Sequence, residues 1–540
     1  MGIAGFVRAL VLAAICLQVA LPAVADDGKA RPPAGLSFTD VSAAAGIGGA
    51  AAAGGHGAAF ADVDGDGDLD IYVTNTPGTG IHAPNYLYIN LGNGRFSEQA
   101  AARGVDGTDL GSHGALFADL DNDGDLDLIV ANSGLAAGPG QDRVYINDGG
   151  GYFSDGTRRA RLKGKLYRTR GVAAGDFNGD GYVDFVLTNP VADTNTPPGQ
   201  PLAIKRFFRN KGKKARFART SAGLLYTGFA QAITAADVDG DGDIDLVESK
   251  WPHLNYDGRS NSLWLNDGSG SFSEAGSGLG DSFFRDGSNR YNGSALGDTD
   301  NDGDLDLLIL GDGLRFFRND GGGAFNEISE SSGLQGQGFS AAFGDLNNDG
   351  RLDVVVADNT HAATFVVFRN LGANRFEALS GIGALPPSFN DPRGMALGDY
   401  DGDGDLDIVV VHKKAPVQLF RNNRDSKAFI KLRLTSPQGQ RGAIGTRVWV
   451  YRAGRLDDTG GLLAYREVGS STAYISQNAP EVHVGLWKNM RRVDIRIRFP
   501  GGATVTLLGA KRGKVIEVDP KALATAGGGR MQALSSPAYR

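Results

Sequence analysis

The sequence predicts an all-β protein, a seven-bladed β-propeller followed by a small C-terminal β-rich domain. Three observations carry this. An acidic nine-residue segment recurs seven times, each copy lies between two short strand-like runs, and glycine, at 81 of 540 residues, supplies the turns that many short strands need. With 41% apolar residues, a chain of this length buries a large core and divides into more than one domain.

The N-terminus reads as an export signal spanning residues 1–25. Arg8 provides the positive charge, Ala9 to Leu21 the apolar stretch, and Ala23-Val24-Ala25 the small-x-small cleavage pattern before Asp26. Pro22 ends the apolar run short of the roughly 20 residues that span a bilayer, so stable membrane insertion is not expected. Cys16 is the only cysteine and lies inside the signal, with Ile15 where a lipoprotein signal carries a small residue. The mature chain therefore has no thiol, and its stability must come from packing and metal.

The acidic copies start at Asp62, Asp119, Asp176, Asp237, Asp298, Asp345 and Asp399, with successive spacings of 57, 57, 61, 61, 47 and 54 residues. In the first, Gly57 to Ala61 precedes the loop and Ile71 to Val73 follows it. A third run, Tyr86 to Asn90, leads through Gly92-Asn93-Gly94 to a fourth strand that starts at Phe96. Four short strands per unit make a propeller blade. The seventh copy lacks a fourth strand after Gln418 to Asn422, whereas Leu36 to Ile47 looks like the fourth-strand segments starting at Phe96 and Phe325. The N-terminal strand is thus expected to complete the last blade and close the ring, giving a propeller over residues 36–425.

Hard oxygen ligands at positions 1, 3, 5 and 9, a backbone carbonyl at 7 and glycine at 6 suit calcium. The expected ligands are Asp62, Asp64, Asp66, Asp68 and Asp70; Asp119, Asp121, Asp123, Asp125 and Asp127; Asp176, Asn178, Asp180, Tyr182 and Asp184; and Asp237, Asp239, Asp241, Asp243 and Asp245. The last three loops offer Asp298, Asp300, Asp302, Asp304 and Asp306; Asp345, Asn347, Asp349, Arg351 and Asp353; and Asp399, Asp401, Asp403, Asp405 and Asp407. Tyr182 and Arg351 sit at position 7, where only the carbonyl is needed. Asn178 and Asn347 at position 3 each cost a charge, which predicts weaker binding in the third and sixth loops. The loops hold 31 of the 62 acidic residues, so up to seven Ca²⁺ would bring the formal charge of −8 to about +6.

The repeat D-x-[DN]-x-[DN]-G-x-x-D after a small-apolar strand resembles the FG-GAP repeats of integrin α-subunits and related bacterial proteins. The resemblance implies calcium in the loops and a propeller face that meets an extracellular protein or other ligand. Further on, Gly442 to Val448, Arg466 to Gln477, Val482 to Leu486 and Val493 to Gly502 resemble the ASPIC/UnbV domain, which follows FG-GAP repeats in the cartilage acidic protein family. Trp487 and Phe499 stand where glycine and tryptophan are usual. This domain is placed at 428–512. Val493, Ile495, Ile497 and Phe499 alternate with polar residues as on a half-buried antiparallel strand, which gathers Arg491, Arg492, Arg496 and Arg498. The Ala-, Gly- and Ser-rich segment 522–540 reads as a disordered tail.

Six residues before each loop stand His56, His113, Arg170, Gln231, Asn292, Phe339 and Arg393. On an innermost strand these positions would ring the channel mouth opposite the loops, and the six polar ones are candidate contacts for an anionic or sugar-like ligand. The function expected is that of a secreted or periplasmic calcium-binding recognition or adhesion module for an extracellular protein or glycan. The bases are scattered along an exported chain, which argues against nucleic acid. No Gly-x-Ser-x-Gly elbow or H-E-x-x-H pair occurs, which leaves an extracytoplasmic enzyme with a channel site, or an assembly partner of exported proteins, as the alternatives.

Overall fold

The computed structural model describes residues 35–525, apart from 49–53, 77–83, 108–110, 135–139, 189–205, 225–228, 252–260, 276–290, 359–363 and 383–390 and the short gaps at 166, 380–381, 425, 472–473 and 488. The export signal at 1–25 and residues 526–540 lie outside the described part. Seven four-stranded antiparallel sheets follow one another along the chain, and each turns from its first to its second strand through one acidic loop. In blade one the strands are Gly55–Ala61, Asp70–Asn75, Tyr86–Asn90 and Phe96–Glu98, paired in that order.

The strands are apolar on both faces because each sheet is sandwiched between two others. In blade one, Ile71 and Val73 pack against Val409 and Val411 of blade seven, while Tyr72 between them packs against Phe117 and Leu128 of blade two. The period of two thus sorts side chains between two cores rather than between core and water.

The strand Phe38–Asp40 pairs with Gln418–Asn422, in register Phe38 to Asn422, and so supplies the fourth strand of blade seven. A single turn of helix, Ser42–Ala45, follows it, as Ser329–Ser332 follows the fourth strand of blade five.

A feature absent from the sequence reading joins the blades. Each third strand carries a buried asparagine at or near its end: Asn90, Asn147, Asn210, Asn266, Asn319, Asn370 and Asn422. Its backbone N–H donates to the last aspartate of its own loop, for example Asn319 to Asp306 at 3.0 Å. Its side-chain amide donates to the carbonyl before that aspartate and to a carbonyl in the preceding blade's loop. The inter-blade acceptors are Tyr400, Val63, Leu120, Phe177, Val238, Thr299 and Leu346 respectively, at 2.7–3.0 Å.

The C-terminal domain is not the single antiparallel sheet expected. A mixed three-stranded sheet has Phe429–Leu434 antiparallel to Glu481–Gly485 and parallel to Lys514–Val518. A four-stranded antiparallel sheet runs in the order Leu462–Glu467, Arg447–Arg452, Arg492–Arg498, Thr504–Lys511. Ile430, Leu432, Val448, Ile495, Leu507 and Ile516 fill one core between them. Residues 522–525, assigned to the tail, instead belong to the short helix Pro520–Thr525.

Part of this domain fills the propeller channel. The innermost strands present backbone groups on their inner edges, and residues 470, 471 and 476–479 meet them in blades one to four and seven. Gln477 accepts from Phe60 N–H and donates to Ala58 O, and its side chain bridges both backbone groups of Phe117 at 2.8 and 3.0 Å. Ser470 accepts from Ala174, Ser471 donates to Ile233 O, and Asn478 accepts from Leu397. The approach is so close that a Cβ on Gly57 would strike the carbonyls of Ile475 and His113, and one on Gly394 would strike His56 O and Ser476 Oγ. A cavity of about 170 Å³ remains between this plug and blades four to seven.

Replacing Asn319 by Ala leaves the buried carbonyls of Val238 and Leu305 without these donors and is expected to cost about 2–4 kcal/mol. The check is the urea midpoint, and an unchanged value would show that packing alone holds blades four and five together.

Candidate metal centre

In every loop position 6 is a glycine with φ between +86° and +113°, a conformation that side-chain-bearing residues rarely adopt. Position 4 also lies in the left-handed region, with φ between +53° and +80°, which explains why only glycine or asparagine occurs there. The resulting turn brings the N–H of position 6 onto the first aspartate, as in Gly67 to Asp62 at 3.0 Å and Gly350 to Asp345 at 2.7 Å. The N–H of position 7 donates to position 5 in all seven loops at 2.9–3.1 Å, including Tyr182 to Asp180 and Arg351 to Asp349. The backbone of position 7 shapes the loop whatever its side chain.

Carboxylate oxygens converge within 4.8 Å in five loops, as Asp62, Asp64 and Asp66; Asp119, Asp121 and Asp127; Asp237, Asp239 and Asp245; Asp298, Asp300 and Asp302; and Asp399, Asp401 and Asp407. Burial, opposed by backbone hydrogen bonds and aided by like-charged neighbours, pushes Asp70, Asp184 and Asp245 up to about 8 and Asp119 up to about 7. Buried oxygens of Asp64, Asp121, Asp300, Asp399, Asp184 and Asp353 lack a hydrogen-bond donor. A set of hard oxygen donors, crowded and short of protons to accept, fits a metal ion and is compatible with Ca²⁺.

The third and sixth loops differ. Asn178 and Asn347 replace an aspartate, and among the described residues neither loop forms such a trio. In the sixth, Arg351 also turns its guanidinium onto Asp349 at 3.0 Å and so occupies a carboxylate that a metal would need.

The C-terminal domain covers these loops and sets cations and N–H groups against them. Arg441 pairs with Asp62 and its N–H donates to Asp119 at 3.1 Å; Arg447 pairs with Asp237; Lys431 pairs with Asp399 at 2.6 Å. The Gly485 N–H donates to Asp345 at 2.8 Å, and buried Arg466 faces Asp345 and Asp298. Six of the seven opening aspartates thus meet the cover, leaving their remaining oxygens toward the loop. These cations were missed in the sequence because their partners lie 32 to 379 positions away, in another domain.

At the opposite end of the channel, His56 stacks on His113 with ring centres 4.2 Å apart, and Arg170 donates to Gln231. Asn292 donates to Gly338 O at 3.3 Å, and Arg393 lies 3.7 Å over the ring of Phe339 while pairing with Asp391. His56, His113, Gln231 and Asn292 are buried, Arg170 and Arg393 half-buried. Tyr474 of the plug reaches Phe339 from inside. Burial first, then neighbouring cations, hold both histidines well below their ordinary value, hence neutral.

Comparison with known families agrees with this geometry. Residues 62–130, 135–187, 298–356 and 345–410 match the FG-GAP-like repeat, and residues 436–524 match ASPIC and UnbV. The chain carries FG-GAP-like repeats and an ASPIC/UnbV domain. A mouse protein, cartilage acidic protein 1, is 28% identical over 175 residues, covering 31% of this chain and 25% of that protein. The matched segment therefore spans about a quarter of the relative's length.

Three solved structures overlap the FG-GAP chain at low identity. Bacillus licheniformis rhamnogalacturonan lyase PL11 is 12% identical over 68% of this chain and 71% of its own, with a TM-score of 0.36. BBS1N, solved in complex with ARL6DN, is 9% identical over 72% and 98%, with a TM-score of 0.42. The V. cholerae biofilm matrix protein Bap1 is 14% identical over 85% and 73%, with a TM-score of 0.31. Among the described residues no helix is long and apolar enough to cross a membrane.

Lys431 is buried between Asp399 and Glu481; Lys431→Ala strands buried Asp399, while Glu481 keeps Arg433, and is expected to destabilise the protein by about 3–5 kcal/mol. Thermal melts of the two proteins check this, and equal midpoints would show that the cover contributes nothing at blade seven.

Proposed function

We propose that this protein is an exported calcium-binding propeller that serves as a recognition or adhesion module for an extracellular protein or glycan. The observation that carries the reading is the set of buried loop oxygens without donors, which call for a cation of flexible coordination. Calcium takes such oxygen sets more readily than magnesium, which requires near-octahedral geometry. Up to seven ions are held, with the aspartates and Asn178 and Asn347 as side-chain ligands and the weaker sites in the third and sixth loops.

Export rests on the signal at residues 1–25, and the name of the mouse relative, a cartilage protein, suits an extracellular setting. Binding is favoured over catalysis in the channel because the plug occupies the channel, and the remaining cavity of about 170 Å³ is smaller than the roughly 300–1,000 Å³ of most small-molecule sites. Surfaces away from the cover then meet the partner; of the ring expected at the channel mouth, only the half-buried Arg170 and Arg393 are open to it, because His56, His113, Gln231 and Asn292 are buried.

Chelation is expected to lower the melting temperature and calcium to restore it, since an ion that binds only the folded state stabilises by mass action, about 2.7 kcal/mol at 100 times its Kd. Titration calorimetry should resolve five stronger and two weaker sites, and seven equal sites would remove the ranking. A screen of the mature chain against glycans and extracellular proteins, in millimolar calcium and in chelator, tests recognition itself. A calcium-dependent hit supports it, and no hit in either condition overturns it in favour of an enzyme or an assembly partner.

A further inference from the structure

The four-stranded sheet of the C-terminal domain has one face in the domain core and one turned outward. Register across the outer face sets Tyr465, Trp449, Arg496 and Thr506 in one row and Glu467, Arg447, Arg498 and Thr504 in the next. Tyr465, Arg447 and one side of Trp449 face the propeller, where Arg447 is committed to Asp237. The other end of the rows is open and forms a groove of about 480 Å³ lined by Trp449, Tyr451, Arg496, Arg498, Gly502 and Thr504.

The charge on this open end is predominantly positive, with exposed Asp457 the acid beside it among the described residues. Arg498 is exposed and has no ion pair among the described residues. Arg496 pairs only with exposed Asp457, a surface pair that a ligand displaces at little cost. The one acid on the strand, Asp494, is turned aside, since its two oxygens accept from Gly454 and Gly509 N–H at 2.6 and 2.7 Å. Arg492 adds a further exposed guanidinium on the same face, its Nη1 on Gly509 O. Arg496 and Arg498, two positions apart on one strand, stand about 6.7 Å apart along it.

Guanidinium forks bind carboxylates and sulfates in bidentate fashion, and half-buried Trp449, with the edge of buried Tyr451 that lines the groove, offers aromatic surface beside them. An acidic peptide needs the cations alone; a sugar chain with acidic groups uses both features.

We propose that the outer face of this sheet binds an anionic polysaccharide, with Arg496 and Arg498 pairing with its carboxylates or sulfates and Trp449 and Tyr451 receiving its sugar rings. This rests on the recognition reading above and names the ligand class and the surface. The test is binding of the mature full-length chain, with calcium, to immobilised heparin, polygalacturonate, neutral dextran and polyglutamate. At least one of the two anionic glycans should bind in preference to dextran and polyglutamate. The Arg496→Gln/Arg498→Gln double variant should weaken that binding about tenfold or more without shifting the melt, and Trp449→Phe should weaken it less.

Equal binding to polyglutamate, or indifference to the double variant, overturns the proposal. Loss of glycan binding in Arg170→Gln/Arg393→Gln alone would keep the recognition reading but move the site to the channel ring. Failure of all four probes sinks this inference while leaving recognition to the broader screen.

Discussion

One asparagine per blade, at or near the end of the third strand, is the contact on which the rest of the architecture depends. Its backbone N–H holds the final aspartate of the metal loop while its side-chain amide reaches the preceding blade, so a single residue fixes both the loop and the angle between neighbours. Because all seven are buried, no water replaces a missing bond, and the ring is held by hydrogen bonds whose partners are specified as well as by apolar packing.

The cover is the second constraint, and it follows from the first. Loops in fixed register present their opening aspartates toward one face of the disc, and the C-terminal domain meets them with Arg441, Arg447, Lys431 and Arg466. Part of the loops' negative charge is therefore balanced from within the chain. The plug adds backbone pairing along the channel, where the innermost strands of a propeller otherwise face water.

Much of this was legible in the sequence because it is local. Seven copies of one acidic loop, strand runs on either side and a missing last strand matched by Leu36 to Ile47 define the propeller and its closure from spacing alone. The glycine at position 6 and the glycine or asparagine at position 4 are likewise local demands of φ. What stayed hidden is what depends on distance in the chain. Asn90 and its six equivalents were visible as a recurring letter, but their acceptors lie in another blade. Most of the plug lies within the Arg466 to Gln477 segment that resembles the ASPIC/UnbV domain, but its place in the channel is not written there, and Ser476 and Gln477 acquire their roles only from the strand edges that surround them.

The ring is closed by pairing between Phe38–Asp40 and Gln418–Asn422, residues separated by almost the whole propeller. Blades can stack as they emerge, but the last cannot be completed by what comes after it; it waits for a strand made at the start. Until that strand docks, the edge at Gln418–Asn422 is open, and with a single cysteine in the sequence no disulfide within the chain can hold the gap. Nothing in the pairing distinguishes a chain's own first strand from that of another copy, so at high local concentration during folding the same seam that closes one ring can link molecules end to end.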